Sequence, residues 1–175
     1  WAEFVGPSLI AWTARAAVVC WIARFAASYA RGNVGSFRFE SLLYGLGWLL
    51  LVAHTLCAFH FEHHWSHAAA VAHTARRTAE TVGWNWGGGL YVNYITIALW
   101  GVDLVVQSVC RRLGRLPRRW WTWLANGGIG FVMLNATVVF GPRGWRVAGP
   151  LMVLSAFAVR WSLRPKYAGD TAANA

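Results

Sequence analysis

The chain has 175 residues, is 57% hydrophobic and only 13% charged, and carries thirteen Trp at a mean hydropathy of +0.40. Soluble domains average about 25% charged residues, so the composition argues against a water-soluble domain, while the length allows a single compact one. The formal net charge of +10 rests on arginines that bracket apolar runs. A nucleic-acid binder would gather them into a solvated stripe, so no nucleic-acid partner is expected. The bracketing pattern is that of membrane topology.

Cys20, Cys57 and Cys110 lie within or at the end of apolar runs. An odd number so placed makes no disulfide framework and reads as small buried hydrophobes. The chain opens on Trp1 and shows no signal-peptide pattern there, which leaves room for upstream sequence.

A membrane-crossing helix needs about 20 mostly apolar residues. The first candidate covers residues 8–30, just after Pro7, a residue suited to a helix start. Arg15 and Arg24 lie inside it, so an amphipathic surface helix is its alternative. A polar link at 31–40 follows. The second span, 41–62, is strongly apolar (SLLYGLGWLLLVAHTLCAFH). Without Gly or Pro from Trp48 to Val82, the helix either continues or bends near Trp65 and Ser66. Ser66 is placed to cap a new helix, HAAAVAHTARRTAETV, in which Glu80 can pair with Arg76 or Arg77. Gly83 ends that helix, and the loop from Trp84 to Gly89 turns the chain back. Further spans are read at 90–110, 120–140 and 145–162, with the arginine-rich RRLGRLPRR between the third and fourth. The expectation is an all-α integral membrane bundle of about five transmembrane helices, forming one domain over 1–168. A short extracytoplasmic helix joins spans two and three, and a disordered tail covers 169–175.

Arg31, Arg38, the run Arg111–Arg119 and the basic C-terminal end fall on one side of this topology. The positive-inside rule makes that side cytoplasmic in a bacterial inner membrane. By depth, Arg24, Asp103 and Asn126 share the inner half, and Arg15, His54 and Asn135 the outer half. Ionisable groups there must pair or line a wet cavity. Asp103 therefore reads as a proton or ion relay, as in a small transporter, or as half of an Arg24–Asp103 pair locking two helices. Gly45, Gly47, Gly127, Gly128 and Gly130 read as close helix contacts.

All six histidines fall between His54 and His73. On a continuous helix His60, His63, His64 and His67 would share an arc of roughly 100°, a face able to present imidazoles to Zn, Cu or Fe. Glu62 would point away, and His54 and His73 lie off this face. No phosphate loop is present, because Gly87–Gly89 lacks a following Lys-Ser/Thr, and Ser66 lacks the partners of a nucleophilic triad.

His60-Phe61-Glu62-His63-His64 resembles one HxxHH box of membrane fatty-acid desaturases and hydroxylases. That resemblance implies a di-iron oxidoreductase, but those enzymes draw histidines from several separate boxes and this chain has one. The stretch from Phe59 to Tyr94, with Asn135–Gly141, is similar to bacterial multi-pass membrane proteins of planctomycete type, a resemblance that implies topology alone. Two functional classes follow. One is a metal-binding membrane protein with His60, His63, His64 and His67 as ligands; if it is an enzyme, it is a metal-dependent oxidoreductase. The other is a non-catalytic subunit of a larger membrane assembly, contacting lipid and other subunits or a second copy of itself.

Overall fold

The computed structural model describes residues 2–27, 34–141 and 143–162. The expected disordered tail and residues 31–33 of the first link lie outside them. Among the described residues six α-helices follow one another: α1 (Ala2–Ala27), α2 (Val34–Phe61), α3 (His67–Val82), α4 (Gly89–Arg112), α5 (Arg119–Leu134) and α6 (Arg143–Ser162). A π-helical turn, Asn135–Val139, extends α5. There is no strand among the described residues.

Side-chain pairings fix the helix directions. Gly6 of α1 lies against the Phe61 ring at one end, and Arg24 approaches Glu40 at the other, so α1 and α2 form an antiparallel hairpin. Three contacts run α4 antiparallel to α2: Arg111 donates to Ser41 Oγ (2.7 Å), Tyr44 to Asp103 (2.6 Å) and the Trp48 indole to the Ile97 carbonyl (2.9 Å). Gly101 makes room for that indole, since a Cβ there would lie 3.2 Å from Trp48 Nε1. In a helix the Ile97 carbonyl accepts from residue 101, so Trp48 shares an acceptor at the one place where no side chain stands in its way. The α5 helix packs back on α1 and α4 through Gly130 beneath Trp21 and Gly128 against Leu99. Gly47, Gly128 and Gly130 thus serve the close packing expected of small residues, whereas Gly45 and Gly127 face open space.

Ala17, Val18, Trp21, Tyr44, Leu51, Trp100, Ile129 and Met133 form the core, drawn from α1, α2, α4 and α5. Outside it lie apolar stripes: Leu42, Leu46, Leu49 and Leu56 along α2, and Ile95, Val102, Val105 and Val109 along α4, all exposed. Spacings of three, four and seven mark a single helix face, and a soluble bundle would turn that face inward. Turned outward, it calls for an apolar surrounding. Among the described residues four helices are long and apolar enough to cross a membrane: Val5–Arg24, Phe39–Phe61, Gly89–Arg112 and Arg119–Val139. The hydroxyls of Thr13, Thr55 and Thr96 in these spans donate to carbonyls one turn back, so these three are satisfied within their own helices.

The first and the last of the five expected spans differ in outcome. The first helix, read with a surface-lying alternative, supplies Ala17, Val18, Cys20 and Trp21 to the buried interior and is one of the four candidate spans. It also starts at Ala2, ahead of Pro7 rather than after it. The segment read as a fifth span is helical as α6 but is not among the four. Its sequence includes Arg143, Arg146 and Arg160 with Pro150 between them, which dilutes its apolar character.

Candidate functional site

The histidine-rich end is shaped by a chain reversal. The α2 helix stops at Phe61, and His64 and Trp65 both take left-handed backbone angles (φ 47° and 61°). For a residue with a side chain this conformation costs roughly 1–2 kcal/mol. Trp65 offsets that cost by laying its ring near Phe59 (6.3 Å) and His60 (6.1 Å), and its N–H reaches the Phe59 carbonyl at 2.8 Å. Ser66 then caps α3, its Oγ accepting from Ala69 N at 3.2 Å. Gly83 ends α3 with φ 78° and donates to the Ala79 carbonyl. Arg77 pairs with Glu80 at 3.3 Å. The start, stop and ion pair expected of this helix are all present.

The reversal disperses the four histidines expected on one face. His60 is exposed on the last turn of α2 and His64 is exposed at the bend. His67 opens α3, beside the rings of Tyr91 (5.7 Å) and Tyr94 (6.1 Å). His63 alone turns inward, 8% exposed, with Phe59 edge-on at 5.8 Å and His73 at 5.2 Å. His73 Nδ1 lies 3.4 Å from Glu62 Oε1. The bend therefore gathers Glu62, His63 and His73, two of which the single-helix reading set aside. Burial is the main cause that holds His63 below the ordinary histidine pKa; His73 adds to the depression and the Glu62 carboxylate opposes it. Among the described residues no three His, Cys, Asp or Glu side chains are grouped so as to hold a metal ion.

The Trp84–Gly89 loop folds onto this cap. Trp84 and Trp86 stack with centroids 5.3 Å apart and planes 8° from parallel. A Cβ on Gly88 would run into the Trp86 ring, and one on Gly87 would meet Val71 at 2.7 Å. These glycines serve close packing.

The second constellation lies at the opposite end of the bundle. Asp103, 1% exposed, accepts from Tyr44 Oη (2.6 Å), Gln107 Nε2 (2.6 Å) and Trp121 Nε1 (2.8 Å). The donors come from α2, α4 and α5. Arg24 of α1 donates to Asn126 Oδ1 (2.9 Å) and Gln107 Oε1 (3.4 Å), and its guanidinium lies 3.6 Å from the Tyr44 ring centroid. Its ion-pair partner is Glu40 at 3.9 Å. The direct Arg24–Asp103 pair is thus replaced by two intermediaries. Gln107 faces one charge with each end of its amide, and Tyr44 offers its ring to the cation and its hydroxyl to the carboxylate.

Sequence depth groups Arg24, Asp103 and Asn126 correctly but misses Tyr44, Gln107, Trp121 and Glu40. Gln107 stands one helical turn after Asp103, and Tyr44 one turn after Glu40, a spacing that brings side chains together. The outer-half residues do not converge. His54 Nδ1 donates to the Ile10 carbonyl (2.9 Å), Asn135 to the Phe131 carbonyl (2.8 Å), and Arg15 lies between the rings of Trp12 and Trp145.

No family model, curated protein or solved structure matches the chain, so function is read from these residues.

Proposed function

We propose that the chain is a non-catalytic integral membrane subunit. Its spans are pinned by a buried polar core, and its aromatic and histidine-rich cap is the contact surface for another subunit or a second copy. The observation that carries this reading is Asp103, whose carboxylate takes donors from three helices. An acid so engaged is committed to holding helices together. Removing the shared carboxylate of such a buried network costs several kcal/mol, so these groups read as structure rather than as a relay. The chemistry left outward is at the cap, where Trp65, Trp84 and Trp86 are exposed, as are His60 and His64. Aromatic residues are favoured in interface centres.

The orientation is part of the proposal. The cap and the run Arg111–Arg119 stand at opposite ends of the bundle, and the positive-inside rule puts the run in the cytoplasm and the cap outside a bacterial inner membrane. An impermeant thiol reagent on intact cells should label Ser66→Cys and spare Leu116→Cys, each in a cysteine-free background.

Native electrophoresis from mild detergent tests the subunit reading. Trp84→Ala with Trp86→Ala should release the chain from a larger complex while its thermal stability holds. A wild-type chain that migrates alone under all conditions would sink the idea.

A second reading keeps the metal. The bend brings His63 and His73 together with Glu62 beside them, and although the three are not grouped to hold an ion as they stand, they are the set to test for Zn, Cu or Fe against His60, His63, His64 and His67. Elemental analysis of tag-free protein decides it. Near-stoichiometric metal lost in His73→Ala but kept in His64→Ala supports the trio, and zero metal after incubation with each ion removes it.

A further inference from the structure

The turn that joins α4 to α5 holds Arg111, Arg112, Arg115, Arg118 and Arg119 within nine residues, and all five are exposed. Arg111 donates to Ser41 Oγ. Among the described residues no carboxylate lies within ion-pair distance of any of the five. Glu40 and Asp103, acids of this end of the bundle, are buried in the polar core, where Glu40 faces Arg24 and Asp103 takes three donors. At the other end the exposed Arg77 has Glu80 beside it. The arginine turn has no such neighbour.

Its backbone is well defined. Gly114 takes φ 63°, its N–H reaches the Arg111 carbonyl at 3.1 Å and the Arg115 N–H reaches the Cys110 carbonyl at 2.8 Å, the paired bonds of a Schellman helix end. Arg111 and Arg112 lie in the last turn of α4, where a cation meets the negative end of the helix dipole and stabilises the helix. Arg118 and Arg119 stand at the start of α5, where the dipole disfavours a cation, and no acidic residue in that first turn offsets them. Helix stability thus accounts for one pair of arginines and runs against the other.

The turn is also confined to the membrane surface. It links two candidate spans, Gly89–Arg112 and Arg119–Val139, through residues 113–118. At no more than about 3.5 Å per residue, six residues going out and back reach about 10 Å at most, roughly one Debye length in 0.1 M salt. Apolar side chains lie among the charges: Leu116 is 90% exposed, Trp123 71% and Trp120 59%. Trp120 and Trp123, three apart, are neighbours on the surface of α5, and indoles are favoured at headgroup level. A soluble anion would answer the arginines and leave Leu116 and both indoles in water. An anionic lipid surface answers both.

From these arginines without carboxylate partners, set among exposed Leu and Trp at the membrane surface, we infer that the α4–α5 turn is a docking surface for anionic phospholipid. Headgroup phosphates lie on Arg112, Arg115, Arg118 and Arg119, whose planar forks match phosphate oxygens. Leu116, Trp120 and Trp123 sit between the headgroups. Charge complementarity is the selecting term, and each arginine near an anionic surface is worth about fivefold in affinity.

The test uses the purified full chain, stripped of lipid in mild detergent and offered mixed micelles of phosphatidylglycerol and phosphatidylcholine in equal amounts. Native mass spectrometry counts which lipid is retained. The wild type should favour phosphatidylglycerol by about tenfold or more in 0.1 M salt, and 1 M salt should erase most of that preference. Arg118→Gln with Arg119→Gln should lower the ratio about tenfold or more, whereas Arg76→Gln with Arg77→Gln on α3 should leave it unchanged. Equal retention of the two lipids by the wild type overturns the inference, as does a preference indifferent to salt, and both are read on the unmutated protein. A ratio that survives loss of Arg118 and Arg119, or falls as far with Arg76 and Arg77, overturns it too. So does a single-stranded oligonucleotide that displaces phosphatidylglycerol from the wild type at equal phosphate concentration, which would assign the arginines to nucleic acid.

Discussion

Two regions of this molecule collect ionisable side chains beside apolar sequence, and they do so in opposite ways. His60, His63, His64 and His67 are neighbours in the chain but no longer share one helix face, because α2 ends at Phe61 and α3 begins at His67. His63 turns inward, His60 and His64 stay exposed, and His67 belongs to another helix. The polar core draws on Arg24, Glu40, Tyr44, Asp103, Gln107, Trp121 and Asn126, spread across four helices, and brings them within hydrogen-bonding or stacking reach. Adjacency along a chain brings groups together only while the local structure continues. Convergence of distant residues needs the whole bundle, and so it marks what the bundle is built to hold.

This contrast has measurable edges. Asp103→Ala should have the largest effect, since it strands donors from three helices and the guanidinium beyond them. We expect a loss of about 3–5 kcal/mol, the range for breaking a buried charged pair, read as a collapse of the thermal transition in detergent. His64→Ala should stay within about 0.5 kcal/mol of wild type, as exposed positions do. Comparable losses in the two variants would erase the distinction between the regions. Tyr44→Phe and Trp121→Phe should each cost about 1 kcal/mol. Their double variant should depart from the sum of the singles, because both donate to one carboxylate. Strict additivity in that cycle would mean that the donors act independently.

At the cap the expected effects are smaller and local. Ser66→Ala removes the acceptor for Ala69 N and should cost α3 about 1 kcal/mol, seen as faster amide exchange between His67 and Ala70 with the spans unchanged. Exchange that rises throughout the bundle would show cap and core to be one cooperative unit. Acidification should act in the same place. His63 is held below its ordinary pKa in the folded chain, chiefly by burial, so the unfolded chain binds more protons once pH drops. The His63 contribution is therefore fully present above about pH 6.5, the ordinary histidine value, and is lost as pH falls below it. Amide exchange in α3 should accelerate on going from about pH 7 to 5 after correction for intrinsic rates, and His63→Phe should blunt that change. An unaltered pH response in His63→Phe would remove His63 as its source.

Much of the architecture was legible because it rests on short-range rules. Apolar run length located four candidate spans, and Ser66 and Gly83 marked both ends of α3. Small residues marked close contacts at Gly47, Gly128 and Gly130. The candidate site was less legible. Nothing in the sequence around His64 and Trp65 announces two consecutive left-handed residues, a conformation that favours Gly or Asn, so the single-face arrangement of histidines was the natural expectation and the wrong one. Depth alone could place Arg24 beside Asp103 but could not show that Gln107 and Tyr44 stand between them. Which neighbours meet on facing helices depends on rotation about each axis, and that is fixed by packing at positions such as Gly47 against Trp100.

The first helix touches both regions. Gly6 is fitted beneath the Phe61 ring at the cap, and Arg24 is held in the polar core. Arg24 follows Gly6 by eighteen positions on one helix, which at about 1.5 Å each set the two anchors about 27 Å apart. That length is close to the thickness of a bilayer's hydrocarbon layer, about 30 Å. A helix anchored at both ends cannot stretch, so α1 acts as a ruler. In a thicker membrane it is the surrounding lipid that must thin, or the bundle that must associate to shed the mismatch.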